Sequence, residues 1–408
     1  MDIKILEKYA ELVVKTGINL QEKQQLFITS PIECADFARI MAEKAYEAGA
    51  INVIVRYNDE KLSLIKFNKA SMESFEKEPI HLALEREQLI KEKTGFISIA
   101  AEDPELLSGI DPNKISLQAK TNSTAMKKAS AAMMSNEVSW CVVSVPTKGW
   151  AKKVFPNVPE EEAVEKLWQS IFSIVRADKE SPVAAWEEHI SKLDHRRNYL
   201  NEKSFKYLHY KSEGTDLVVE LPEGHEWLAG AENTKDGVRF VANMPTEEVF
   251  TLPKRDGVNG YVTSKKPLNY GGNLIDNFKL TFKDGKIVDF TAEKGEEILK
   301  GLLDTDEGAR YLGEVALVGY NSPISNSGLI FYNTLFDENA SCHFAFGKAY
   351  PSCLKGSDNM SEKELLEKGV NDSLTHIDFM VGSAELEIIG ETASGEKVQV
   401  FKNGDWVI

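Results

Sequence analysis

The chain has 408 residues, with 48 Lys and Arg against 64 Asp and Glu, for a formal net charge of −16. That acidic balance opposes a nucleic-acid partner, whose phosphates it would repel, and no apolar run approaches the ~18–20 residues that span a bilayer. With 42% hydrophobic residues the composition is globular, and at roughly 100–200 residues per domain the length suggests two or three domains.

The first half reads as alternating helix and strand. Residues 3–16 place Leu6, Tyr9, Ala10 and Val13 on one helical stripe. Gln25 to Thr29 is a short apolar strand. Residues 34–48 set Phe37, Ile40, Met41 and Ala45 at helical spacing, with Gly49 to end the helix, and Ile51 to Val55 is a second apolar strand. This is a βαβ unit. Further strands are expected at 96–101 and 138–145, with a helix over 114–135 between them. Continuous apolar strands suit a mostly parallel sheet covered by helices. No GxGxxG or GxxxxGK[ST] loop follows any of these strands, so nothing points to a nucleotide. Residues 157–200 are helical and charged.

From Phe205 the texture changes to strand and turn, at 207–211, 216–221, 278–282 and 287–291, with one helix over 295–303. Asp284-Gly285 and Asn403-Gly404 are hairpin turn signals. The expected organisation is an α/β domain over 1–195, then a β-rich α+β domain over 196–408. The cysteines Cys34, Cys141, Cys342 and Cys353 form no CxxC pair, and their low density argues against a disulfide scaffold. The opening Met1-Asp2-Ile3-Lys4 lacks a basic then apolar secretory pattern, so a cytoplasmic protein is expected.

Five histidines (His81, His189, His195, His209 and His225) sit in ordinary helical or turn contexts. The other two stand in apolar, strand-like stretches with acids nearby. On a strand, i and i+2 side chains face the same way. His376 and Asp378 therefore project together, as a metal-binding or a structural pair. Glu338 and His343 converge if a turn separates them, and Cys342 faces away into the core. Glu314 and Glu248 stand inside apolar runs, where a buried, unpaired charge would cost several kcal/mol, so each needs a cation, a donor or an exposed face. Together Glu248, Glu314, Glu338, His343, His376 and Asp378 make four carboxylates and two imidazoles. Such a mixed set suits two divalent cations about 3.5–4 Å apart, one carboxylate bridging.

At these residues the sequence resembles the aminopeptidase T / aminopeptidase S family of dinuclear metalloaminopeptidases. The matching stretches are NMPTEEVFTLP (243–253), ARYLGEVALV (309–318), LFDENASCHFAFG (335–347) and HIDFMVGS (376–383), and the likeness runs over the whole chain. The resemblance implies a cytosolic, broad-specificity exopeptidase that is a homodimer acting on peptides, with two divalent metals (zinc, cobalt or magnesium) in its C-terminal domain. It places the metal ligands on Glu248, Glu314, Glu338, His343, His376 and Asp378, and a tyrosine near the metals on Tyr350. Either Glu247 or Glu248 is the first ligand.

The reaction so implied is hydrolysis of the N-terminal peptide bond by metal-activated water. Glu314 is the expected bridge, and Tyr350 a hydrogen-bond donor to the oxyanion. Two other readings compete. One is a different dinuclear hydrolase such as a phosphoesterase, which would need a phosphate nest that the sequence does not display. The other is a metal-stabilised, non-enzymatic binding protein. The α/β domain could be cavity wall, gate or dimer contact.

Overall fold

The computed structural model describes residues 3–270 and 273–408. Met1 and Asp2, part of the opening read above, lie outside the described residues, as do Gly271 and Gly272. The chain divides into two compact units. The first runs through His189 and takes in Ala231–Pro245; the second comprises Ile190–Gly230 and Thr246–Ile408.

The first unit is built on a five-stranded parallel sheet. Its order is Asn243–Met244, Trp140–Val143, Gly95–Ile99, Gln25–Pro31, Asn52–Asn58. Leu26, Phe27 and Ile28 are all buried in succession. Adjacent strand residues point to opposite faces, so this sheet is covered on both. Helix Ala35–Glu47 makes the crossover of the expected βαβ unit, burying Phe37, Ala38, Met41 and Ala45. Asp111 caps helix Pro112–Met134, accepting from the Asn113 amide with proline at the first helical turn. Two helices, Glu60–Lys69 and Ile80–Lys91, lie in a stretch for which the sequence displays no clear period. The first buries no side chain at all, so it carries no apolar stripe to read. The charged stretch 157–200 is two helices, Glu160–Ile174 and Pro182–Lys203.

The sequence reading keeps 196–408 together, whereas residues 231–245 pack with the first unit. They form a small hairpin, Glu232–Asn233 with Arg239–Phe240, and then the edge strand Asn243–Met244.

The second unit stacks two antiparallel sheets. One has nine strands; it includes Tyr207–Ser212, Thr215–Glu220, Asn273–Lys283 and Lys286–Lys294, and closes on the hairpin Lys397–Lys402 with Asp405–Trp406. Asn403 and Gly404 both take positive φ there, as an Asn-Gly two-residue turn requires. The other sheet has five short strands in the order His376–Met380, His343–Gly347, Leu312–Leu317, Val249–Thr251, Leu228–Ala229. Aromatic side chains join the two sheets: Phe278 lies 5.5 Å from Phe379, and Tyr210 5.1 Å from Phe344. Among the described residues no helix is long and apolar enough to cross a membrane.

Candidate metal centre

The five-stranded sheet has one greasy face and one charged face. Phe344, Phe346 and Phe379 are fully buried on the greasy face, with Phe346 and Phe379 stacked at 4.4 Å. On the other face, cross-strand register puts Glu314, Ala345 and Asp378 in one row. Ala316 pairs with His343, and Gly347 with His376. Partners in register share a face, so four polar groups surround the small residues Ala316, Ala345 and Gly347. These small side chains leave the space that the polar groups lean into.

A β-bulge aims Glu314. Leu312 pairs with Phe346 and Glu314 with Ala345, so the extra residue Gly313 sends Leu312 to the core and Glu314 to the charged face. Gly313 is required there, because a Cβ would lie 2.3 Å from the Lys348 carbonyl oxygen. Gly347 takes φ +90°, a region that disfavours other residues, and its own Cβ would lie 2.2 Å from the Thr375 carbonyl. Between them these glycines hold the backbone around Lys348 against the strand that carries His376.

Both imidazoles are oriented by backbone carbonyls. His376 Nδ1 lies 2.7 Å from the Lys348 carbonyl and His343 Nδ1 3.2 Å from that of Ser341. A carbonyl only accepts, so each Nδ1 donates, and each Nε2 is turned inward. His343 Nε2 is 3.1 Å from Glu248 and 3.5 Å from Glu314 Oε1. His376 Nε2 is 3.5 Å from Glu314 Oε2 and 3.4 Å from Asp378. Two groups result, Glu248–Glu314–His343 and Glu314–His376–Asp378, each able to bring its ligand atoms within 4.8 Å of one another. Glu314 belongs to both, one oxygen to each.

The remaining residues fall around these two groups. Glu248 sits just before strand Val249–Thr251 rather than on it. Its neighbour Glu247 is also buried, near enough for its charge, after that of Asp405, to favour the charged form of Arg196. Glu338 lies in a single helical turn, Glu338–Ala340, and stands outside both groups. It is near enough for Asp378 and Glu248 to add to the effect of burial, and its carboxyl is held well above the usual carboxylate range. Tyr350 packs its ring 4.8 Å from that of His376. Burial, then the charges of Glu314 and Asp378, push its phenol well above the ordinary value. Sequence reasoning missed Asn339, which is fully buried. Its oxygen accepts from the Glu247 amide at 2.7 Å, and its nitrogen donates to Leu335 and Glu338. No sequence signal marked it, since a lone Asn in an acidic loop looks like a turn.

Electrostatics shows what the cluster lacks. Burial raises the Glu314 carboxyl, and Glu248 and Asp378 raise it further, against a hydrogen bond from His343. His376 loses charge affinity to burial but regains more from Asp378 and Glu314, and rises to about 9. A neutral imidazole would turn a bare Nε2 lone pair on these oxygens, so the contacts call for protons or cations between them. Asp378 Oδ1 is moreover buried, with no well-aligned hydrogen bond and only the 3.4 Å approach of His376 Nε2. A donor set of carboxylate oxygens and imidazole nitrogens with no thiolate fits a pair of divalent cations.

The profile of the thermophilic metalloprotease family (M29) matches residues 3–406. The chain belongs to the M29 family. Aminopeptidase 2 of Geobacillus stearothermophilus is 51% identical over 403 residues, covering 99% of this chain and 98% of the relative. Aminopeptidase AmpS of Bacillus subtilis (strain 168) is 48% identical over 401 residues, covering 98% of each. The solved structure of wild-type AmpT from Thermus thermophilus superposes with a TM-score of 0.95 at 43% identity, covering all of both chains. The M29 chain is therefore a peptide hydrolase of a metalloprotease family, and neither the phosphoesterase nor the non-enzymatic reading is favoured.

Proposed function

We propose that this M29 chain is a metalloaminopeptidase that removes residues one at a time from peptide N-termini with broad specificity. Glu248, Glu314, Glu338, His343, His376 and Asp378 would hold two divalent ions, of zinc, cobalt or magnesium. The observation that carries this is the sharing of Glu314: its two oxygens face two different imidazoles, 3.5 Å from each. When bound, such a metal pair supplies Lewis-acid polarisation of a carbonyl and a water acidified from about 15.7 toward about 7.

The protein's own part is positioning and charge. Glu314 ties the two groups together at the sheet's bulge. The Lys348 and Ser341 carbonyls fix both imidazole tautomers, so that each Nε2 keeps its lone pair for the centre. Tyr350 remains protonated, because burial and the neighbouring carboxylates disfavour the phenolate. Its hydroxyl is then a donor for the oxyanion of the tetrahedral intermediate. We also assign the enzyme to the cytoplasm as a homodimer, on the strength of the family likeness.

The test is turnover of a leucyl chromogenic substrate against its N-acetylated and phosphoryl counterparts. Only the free-amine substrate should be cleaved. Chelation should remove the activity, and Co²⁺ or Zn²⁺ should restore it. A fully active, metal-free preparation would end the metalloenzyme reading. Light scattering at twice the chain mass of 45.6 kDa would support the dimer.

A further inference from the structure

Beside the centre lies a small recess of about 50 Å³ within the second unit. Two of its walls are Glu338 and Asp378, so it opens directly onto the charged face of the sheet. The opposite walls come from two stretches of chain: Pro267 with Leu268 and Asn269 of strand Leu268–Tyr270 on one side, Tyr332, Asn333, Thr334 and Asp337 on the other, with Met380 closing the edge strand. Leu268 and Met380 are buried, whereas Thr334 is exposed at the mouth.

The Tyr332 wall is held in place by force. Tyr332 has φ +53°, an uncommon conformation for a bulky side chain. The buried Asp337 carboxylate clamps the backbone on either side of it. One oxygen accepts from the Phe331 amide at 2.9 Å, the other from the Asn333 amide at 3.1 Å. Strain that persists because its surroundings over-determine it marks a residue whose placement matters.

We infer that this recess receives the side chain of the substrate's N-terminal residue, and that Tyr332 and Thr334 set its size limit; the inference rests on the aminopeptidase reading above. Of the three acids in the wall, Glu338 and Asp378 are committed to the proposed metal centre and Asp337 to the Phe331 and Asn333 amides, so they offer little to a charged side chain. What remains is aliphatic (Pro267, Leu268, Met380) or neutral and hydrogen-bonding (Asn269, Tyr332, Thr334). A site of that chemistry and volume takes short or medium uncharged side chains and turns away large aromatic ones.

The experiment measures kcat/KM for alanyl, leucyl and phenylalanyl p-nitroanilides on the metal-loaded protein and two variants. Wild type should favour the alanyl and leucyl substrates. Tyr332→Ala should raise the phenylalanyl-to-alanyl ratio by about tenfold or more, the scale on which a pocket reads a few methylenes. Thr334→Phe, on the exposed rim and so least able to disturb folding, should lower the leucyl-to-alanyl ratio by about tenfold. If the active variants keep the wild-type ratios, or lose all three activities in proportion, the recess is not the side-chain site. If wild type cleaves none of the three, the aminopeptidase reading fails and this inference falls with it, so the two failures are told apart by the wild-type control.

Discussion

Glu314 is the residue shared by both ligand groups of the proposed centre. Replacing it by Gln keeps the shape but halves what the shared group can offer, and leaves His343 and His376 with no common partner. Glu314→Gln should abolish leucyl-anilide hydrolysis while circular dichroism stays that of wild type; near-normal turnover would reject the bridging role. Tyr350→Phe removes one donor to an oxyanion, which typically costs about 10²–10³ in kcat. The loss should appear in kcat with KM little changed, since the bond is made only at the transition state. As a contrast, His209 lies on the nine-stranded sheet, 2.8 Å from Glu391. That pair belongs to a different sheet from the proposed centre, and His209→Ala should leave kcat/KM unaltered. The residue scale is also where the sequence was most legible. Period-two alternation placed His376 with Asp378 and turned Cys342 toward the core, where it bonds to Val318. It could not choose between Glu247 and Glu248, because both precede the strand, and the group that meets Glu248, His343, is distant in the chain.

At the level of elements, the charged face exists because its strands are packed from behind. Phe379→Ala would remove the ring that touches Phe278, Phe344 and Phe346. A fully buried Phe→Ala change costs about 3–5 kcal/mol, and denaturant unfolding should show it. The strand bearing His376 is also tied at its entry. Asp306 accepts from the Leu374 amide at 2.6 Å, from Ser373 at 2.8 Å and from the Ala309 amide at 2.8 Å. Burial opposes its charge, but these bonds outweigh burial and lower its carboxyl below the usual value. A carboxyl lowered by folding contributes stability above its unfolded pKa of about 3.9, and that stability is lost as pH falls through the lower folded value. Asp306→Asn should therefore shift the urea midpoint most at neutral pH, and the gap should close below about pH 4. Neither the bulge at Gly313 nor this tether was readable beforehand. A bulge is a mismatch between two strands, and a single sequence shows only one strand at a time.

For the molecule as a whole, the proposed metal pair should be a folding ligand as well as a cofactor. The four carboxylates gathered there repel without it, and whatever binds the native state alone stabilises by mass action, about 2.7 kcal/mol at a hundredfold excess over Kd. Metal loading should raise Tm by about 5 °C or more, and chelation should return it. The two-part architecture was legible from the change of texture near residue 200. The return of residues 231–245 to the first unit was not, since nothing in a two-residue strand announces which sheet it will join.

That return has a consequence for synthesis. The parallel sheet's outermost strand, Asn243–Met244, is made a hundred residues after its neighbour, Trp140–Val143. Until then a nascent or truncated chain carries an uncovered strand border with free amides and carbonyls. A fragment ending at residue 195 should thus self-associate on a sizing column, and one extended to 245 should do so less. The amino-terminal module is in this sense finished by the carboxy-terminal half of the chain.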